Sequence, residues 1–311
     1  MIELSLAGLA PRDALRAVRT RLEEAGVPDA AFDARELYRL AVGRDPRLDT
    51  APLPPDKAAA LASFAARRAG REPLQYIAES WDFLDFTLRV GPGVLCPRAD
   101  TEVVCETAVD LLGKMAGAGP VVLDLCAGTG CLGLGVRRFV PDARVTCWEK
   151  SPEALPYLRR NAREALPGAE VAVHEGNVLT GWRDLSPGSV DLIVSNPPYL
   201  TGAEMQALMP ETAREPAMAL DGGADGLVFY RCLTGPWQKV LRPGGWLVME
   251  IGYAQRQAVL DLGARNGWVN SGCRQDYGGS DRVILLQKPG TDPGSPAGDT
   301  TNSCNLRPDR V

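Results

Sequence analysis

The residues best suited to chemistry lie in Asp191-Leu-Ile-Val-Ser-Asn-Pro-Pro-Tyr199. An amide or aromatic-amine nitrogen is a poor nucleophile because its lone pair is delocalised into a π system. The Oδ1 of Asn196 and the carbonyl of Pro197 are acceptors that suit the two N–H bonds of such a nitrogen. Held that way, the nitrogen would turn its lone pair toward an electrophile. Paired prolines fix the backbone that carries this carbonyl at low entropic cost, and Tyr199 offers a ring to stack on a planar group. Asn196, Pro197 and Tyr199 are the expected catalytic residues, and the expected substrate-binding set is these three with Pro198. Catalysis would then be mainly alignment for in-line transfer, an effect that reaches about 7–11 kcal/mol. Two prolines also terminate a strand that does no chemistry, so the reading depends on what stands beside them.

A second motif supplies that context. Val122-Leu-Asp-Leu-Cys-Ala-Gly-Thr-Gly130 runs an apolar stretch into a glycine loop. Glycines let a backbone turn tightly and approach a ligand at the carboxyl end of a strand, where open α/β sheets bind ligands. Such a loop alone does not separate dinucleotide binders from other nucleoside binders. Asp124, just before the loop, suits a cationic group better than a pyrophosphate. Glu149, 19 residues after Gly130, is placed to accept both hydroxyls of a ribose. S-adenosylmethionine has the ribose and the ammonium and lacks phosphate. Metal and histidine chemistry have little raw material: His174 is the only histidine, expected in a strand and given no catalytic role, and no C-x-x-C pair occurs. No metal ligand is assigned.

The elements that must position these motifs can be read from periodicity. Residues 10–26 place Leu15, Val18 and Leu22 on one helical face, with Pro11 near the start and Gly26 at the end. Residues 31–42 repeat the pattern with Ala34, Leu37 and Ala41, and an alanine-rich third helix fits 56–69. These helices suggest a small helical domain over 1–75, either a partner-docking module or a scaffold. Loose alternation over 79–97, around Gly91-Pro92-Gly93, suggests a β-hairpin within a linker at 76–97. Short apolar runs at Val121–Leu125, Val145–Trp148, Val171–Val173, Leu192–Ser195 and Trp246–Ile251 are separated by helical segments. That alternation argues for an α/β, mainly parallel, doubly wound sheet over 98–288. The Pro/Gly/Ser-rich stretch 289–311 has no apolar period and is expected to be a disordered tail.

Composition narrows the partners. The net charge of −5 over 311 residues, with 12 basic and 11 acidic side chains in residues 1–72, leaves no basic field for nucleic acid or anionic lipid. No apolar stretch approaches the roughly 18 residues of a membrane span. The start Met1-Ile2-Glu3 lacks the basic region of a signal peptide. Eight cysteines, several inside apolar runs, read as buried free thiols in a reducing cytoplasm.

With these motifs the chain resembles the class I methyltransferases with an Asn-Pro-Pro-Tyr site, and specifically the bacterial peptide chain release factor N5-glutamine methyltransferases. The resemblance covers about residues 10–287. It also rests on Arg71-Glu-Pro-Leu-Gln-Tyr-Ile77, Pro97-Arg-Ala-Asp-Thr-Glu102, Arg214-Glu-Pro with Ala219–Leu227, Leu241-Arg-Pro-Gly-Gly with Glu250-Ile-Gly252, and Asp276–Val283. It implies a seven-stranded Rossmann-like methyltransferase sheet with a small N-terminal helical domain. It also implies methylation of the glutamine of the Gly-Gly-Gln motif in class-1 peptide chain release factors, with no direct nucleic-acid substrate. Carried over by position, the cofactor set is Cys126, Ala127, Gly128, Thr129, Gly130, Glu149, Asn177, Val178 and Asn196. Asn177 stands where the family usually has an aspartate against adenine, and Ala99 where it often has proline. Arg98 and Thr101 read either as closing the cofactor site or as packing. The alternatives are a ribosomal-protein glutamine methyltransferase, disfavoured by Arg71–Ile77 and Asp276–Val283, an adenine N6 methyltransferase, disfavoured by the acidic balance, and a silent adapter, disfavoured by the intact motifs.

Overall fold

The computed structural model describes residues 4–115, 117 and 119–290, so the expectation for a tail at 289–311 lies, from residue 291, outside the described residues. The chain divides into two compact units. One comprises residues 1–82, 87–96 and 207–217, the other residues 83–86, 97–206 and 218–311.

The first unit is built on α1 (Pro11–Glu24), α2 (Ala30–Val42), α3 (Pro55–Ala69) and the short α4 (Leu74–Ala78). Proline opens α1 and α3, where its missing N–H costs nothing, and Asp29 caps α2 by accepting the Phe32 N–H. The stripe that α1 buries is Ala14, Val18 and Leu22, with Leu15 at its margin, against Ala34, Leu37, Ala41, Leu61 and Ala65. Each fully buried leucine there contributes about 1.5–3 kcal/mol. Residues 207–217 join this unit through charge. Glu211 accepts Nε and Nη2 of Arg71 at 2.6 Å each and Nη1 of Arg68 at 2.8 Å, while Arg68 Nε also reaches Asp33 at 2.6 Å.

A hairpin of β1 (Ser80–Phe83) and β2 (Phe86–Arg89) follows. Its turn is Leu84-Asp85, not the Gly91-Pro92-Gly93 on which the alternation centres. Leu84 adopts φ 53, and the Glu102 carboxylate accepts its N–H at 2.9 Å. A side chain from a later helix stabilises a turn that no glycine or proline announces.

The second unit continues with α5 (Ala99–Leu112), β3 (Val121–Leu125), α6 (Cys131–Phe139), β4 (Arg144–Glu149), α7 (Leu155–Glu164), β5 (Ala172–Glu175) and β6 (Val190–Ser195). After these come α8 (Gly202–Met205), α9 (Val228–Thr234), β7 (Leu241–Glu250), α10 (Arg256–Arg265), β8 (Val269–Gln275) and β9 (Asp281–Gln287). The seven-stranded sheet has the order β5-β4-β3-β6-β7-β9-β8. Only β9 runs antiparallel to its neighbours β7 and β8. The fully buried residues of β3, β6 and β7 form near-continuous apolar runs, as strands covered on both faces do. Strand order reverses between β3 and β6, and in open α/β sheets the binding crevice opens at the carboxyl ends beside such a reversal.

Candidate active site

Register brings four strand ends into one row. Leu125 pairs with Trp148 on β4 and with Ser195 on β6, and Ser195 pairs with Met249 on β7. The next residues along these strands are Cys126, Glu149, Asn196 and Glu250. The two motifs, far apart in sequence, therefore emerge side by side at the reversal.

The glycine loop is held to both flanking strands. Ala127 donates its N–H to the Trp148 carbonyl at 2.9 Å, and Ser195 Oγ donates to the Leu125 carbonyl at 2.6 Å. Left-handed backbone recurs at Cys126 (φ 63), Gly128 (φ 55) and Gly130 (φ 86). At Gly130 a Cβ would lie 2.6 Å from Leu158 Cδ1, so any side chain there would have to displace Leu158 as well as bear the left-handed backbone. Cys126 bears the left-handed conformation as a non-glycine residue, a cost of about 1–2 kcal/mol. Burial first, then the nearby carboxylates of Glu149 and Asp124, pushes its thiol well above the ordinary value, so it stays neutral. Thr129 is 2% exposed and its carbonyl accepts Asn161 Nδ2 at 3.0 Å.

Asp124, which by its position suits a cationic group, lies buried beneath the loop. It is 1% exposed, and its Oδ2 accepts the Gly133 N–H of α6 at 2.8 Å. Gly130, the residue preceding α6, has no side chain to cap the helix, so the strand before the loop supplies the acceptor. Its Oδ1 is buried without a hydrogen-bond partner. Burial raises its pKa to about 7 against the pull of the Gly133 N–H.

Glu149 is engaged with backbone: Oε2 accepts from Gly128 N at 2.8 Å, and Oε1 from Lys150 and Ser151 N at 2.7 Å each. One lone-pair direction on Oε2 remains for a hydroxyl. Asn177 follows β5, and its Oδ1 accepts the Leu179 N–H at 3.1 Å. It thus shapes its own turn as well as offering a remaining acceptor site. The Val178 side chain packs in the core, and its carbonyl accepts Trp237 Nε1 at 2.8 Å. His174 lies in β5 and stacks on Trp148 with ring centroids 3.8 Å apart.

Asn196 to Tyr199 leave β6 as irregular chain, with Pro197 and Pro198 buried and Asn196 and Tyr199 half-buried. The loop Leu220–Leu227 packs behind them: Leu200 donates to the Leu220 carbonyl and Gly222 to the Leu200 carbonyl, each at 2.9 Å. A Cβ on Gly222 would lie 2.7 Å from Tyr199 Cα. Gln255 Nε2 donates to the Tyr199 carbonyl at 2.9 Å, while its Oε1 accepts the Gly252 N–H. Below the motif, Asn196 Nδ2 approaches Thr101 Oγ1 at 3.3 Å, Thr101 Oγ1 donates to Glu250 Oε2 at 2.5 Å, and Tyr199 OH reaches Glu250 Oε1 at 3.4 Å. Burial raises Glu250 to about 7, opposed by the Thr101 hydroxyl and by Arg282. Arg282 is fixed between Asp276, Asp100 and the Ile251 carbonyl. Sequence reasoning gave Glu250 no role, although it opens the quoted Glu250-Ile-Gly252 segment.

The donor set fits S-adenosylmethionine. Glu149 retains acceptor capacity for a ribose, and the unpartnered Oδ1 of Asp124 beneath the loop favours positive charge nearby. Comparisons with known proteins agree. Residues 100–232 match the methyltransferase small domain family and residues 13–78 the PrmC N-terminal domain family. A release factor glutamine methyltransferase of Geobacter sulfurreducens is 40% identical, covering 88% of this chain and 95% of that protein. Proteins of the same name from Streptomyces coelicolor and Cereibacter sphaeroides are each 38% identical, over 86% and 89% of this chain and 94% and 98% of theirs.

Proposed function

The chain belongs to the release factor glutamine methyltransferase family, and on that premise we propose that it methylates the side-chain amide nitrogen, N5, of the glutamine in the Gly-Gly-Gln motif of class-1 peptide chain release factors. The observation that carries this reading is the single row formed by Cys126, Glu149, Asn196 and Glu250 at the strand-order reversal. S-adenosylmethionine, when bound, supplies an electrophilic methyl group on a sulfonium. The loop Cys126–Gly130 with Glu149 and Asn177 would hold this donor, with Val178 contributing backbone. Asn196 Oδ1 and the Pro197 carbonyl would accept the two N–H bonds of the glutamine amide, and Tyr199 would stack on its plane. These contacts align a weak nucleophile rather than deprotonate it beforehand.

The helical unit is proposed to dock the release factor, a role supported by its own core and its match to a separate N-terminal domain family. Hydrogen exchange of the complex tests this, since an unprotected α1–α3 would overturn it. We also place the protein in the cytoplasm. The buried thiols Cys105 and Cys147, neither of them in a disulfide, support a reducing compartment, and among the described residues no helix is long and apolar enough to cross a membrane. The activity is tested by incubating full-length protein with a class-1 release factor and labelled S-adenosylmethionine. Tandem mass spectrometry should place one methyl on the Gly-Gly-Gln amide. Asn196→Ala should lower turnover about 100-fold or more, roughly 2.7 kcal/mol. A methyl group on a ribosomal protein or on adenine would refute the substrate assignment.

A further inference from the structure

We propose that Thr101 and Glu250 are positioning residues, forming a relay that decides which end of the Asn196 side chain faces the substrate amide. The inference rests on the alignment role given to Asn196 above.

The two ends of an asparagine amide have nearly the same shape, so only partners distinguish them. Here the partners impose an order. Glu250 and Thr101 are each 1% exposed, so water does not compete for their hydrogen bonds. An ionised carboxylate has no hydrogen to give. The Thr101 hydroxyl must therefore donate to Glu250, and its 2.5 Å length is that of a charge-assisted O–H···O⁻ bond. Its proton being committed, Thr101 Oγ1 can only accept from its other neighbour. That neighbour is Asn196, 3.3 Å away, which must present Nδ2 inward. Oδ1 is thereby turned away from Thr101 and left to accept a substrate N–H. An asparagine without this relay would offer Nδ2 as readily, and Nδ2 repels an amide N–H.

The parts of the relay come from separate elements. Thr101 lies in the first turn of α5, Asn196 follows β6 and Glu250 ends β7. Tyr230 OH pins the Glu250 carbonyl at 2.9 Å. The charged and titratable groups around the Glu250 carboxyl are Arg282 of β9, which favours its anion, Asp100 of α5, which opposes it, Tyr199, whose hydroxyl favours it, and the buried, neutral Cys131 of α6 and Tyr230 of α9. Tyr199 itself feels Arg282 and Arg98.

The balance leaves Glu250 close to protonation, at about 7. A proton on Oε2 would be donated to Thr101 Oγ1, and the hydroxyl would then donate toward Asn196. Oδ1 would turn inward to accept it, withdrawing the acceptor from the substrate. Falling pH should therefore disarm the site through Asn196.

The test uses the full-length enzyme with a release factor. Thr101→Val should lower kcat about ten-fold, with S-adenosylmethionine affinity by calorimetry within two-fold of wild type. Thr101→Ser should restore most of the rate. The kcat of wild type should fall as pH drops through about 7, and Glu250→Gln, which cannot ionise, should lack that limb. The ¹⁵N resonance of the Asn196 side chain in the free protein should titrate over the same range in wild type and not in Glu250→Gln. A folded Thr101→Val with wild-type kcat, or the same acidic limb in Glu250→Gln, would overturn the relay. If Thr101→Val does not fold, the pH profile and the Asn196 resonance decide. Asn196→Ala measured alongside separates the two ideas. Loss of turnover there with full activity in Thr101→Val sinks only the relay, whereas full activity in both sinks the alignment itself.

Discussion

Replacing Glu149 by alanine removes the acceptor of three backbone N–H groups and the proposed acceptor of the ribose. The backbone part is small. Lys150 N–H lies at the surface and Ser151 N–H is only partly buried, so water can replace their 2.7 Å bonds. Gly128 N–H is likewise part-buried, at 2.8 Å, and losing its acceptor in the left-handed loop should destabilise the protein by about 1 kcal/mol. The ligand part is larger, because hydrogen bonds to a charged acceptor contribute about 1.5–3 kcal/mol. S-adenosylmethionine should therefore bind roughly 10- to 150-fold more weakly to Glu149→Ala, while Glu149→Gln, which keeps one acceptor oxygen, should fall between. Titration calorimetry with the full-length protein measures the affinity. Melting curves without ligand show whether the loop change has unfolded anything. A Glu149→Ala protein of near wild-type stability and unchanged affinity would remove Glu149 from the cofactor site, whatever the activity of the enzyme.

Other perturbations probe separate parts of the molecule. Burial holds Asp124 and Glu250 at about 7 against ordinary values of 3.8 and 4.5, so between about pH 4 and 7 the folded chain binds protons that the unfolded chain has released. Stability should thus fall as pH rises through that window; Asp124→Asn, which keeps an oxygen for Gly133 and cannot ionise, should gain on wild type as pH increases, and parallel melting curves would refute this. In the helical unit, Arg68→Ala strands Asp33, at 8% side-chain exposure, and takes one of the Glu211 cations, so it should cost about 3–5 kcal/mol by chemical denaturation. Arg71→Ala, at a more exposed position, should cost less, and equal losses would contradict the network. At Tyr199 the hydroxyl lies a long 3.4 Å from Glu250, so Tyr199→Phe should keep turnover within about three-fold while Tyr199→Ala loses far more. Comparable defects in the two would mean the hydroxyl matters more than the ring.

What the sequence made legible was whatever announces itself over a few consecutive residues. The helical faces of α1 to α3, the apolar runs of β3 and β6, the glycine loop and the Asn-Pro-Pro-Tyr segment all carry their pattern locally. The hairpin turn at Leu84-Asp85 has no glycine or proline to reveal it, and its left-handed residue is Leu84, whose N–H Glu102 of α5 accepts. The bond from Gly133 to Asp124 was not legible, since nothing local shows that the carboxylate before the loop caps the helix after it. Glu211 and Arg71 stand 140 residues apart in the chain, and Thr101 and Glu250 stand 149 apart. Those pairs become visible only once strand order and register are known.

The same distinction explains how the site is built. In the proposed mechanism a loop and a tetrapeptide place a donor and an amide side by side, but they leave the asparagine free to present either end. The choice between ends comes from a helix that begins before the sheet and a strand that joins it late. In the proposed reading Asn196 supplies the contact, and the sheet register at Ser195 and Met249 places the carboxylate beneath it. A substitution that shifted β7 against β6 by one residue would exchange Glu250 for its neighbour on the opposite face. The motif would then be intact to any reader of the sequence, and its asparagine would have lost the relay that orients it.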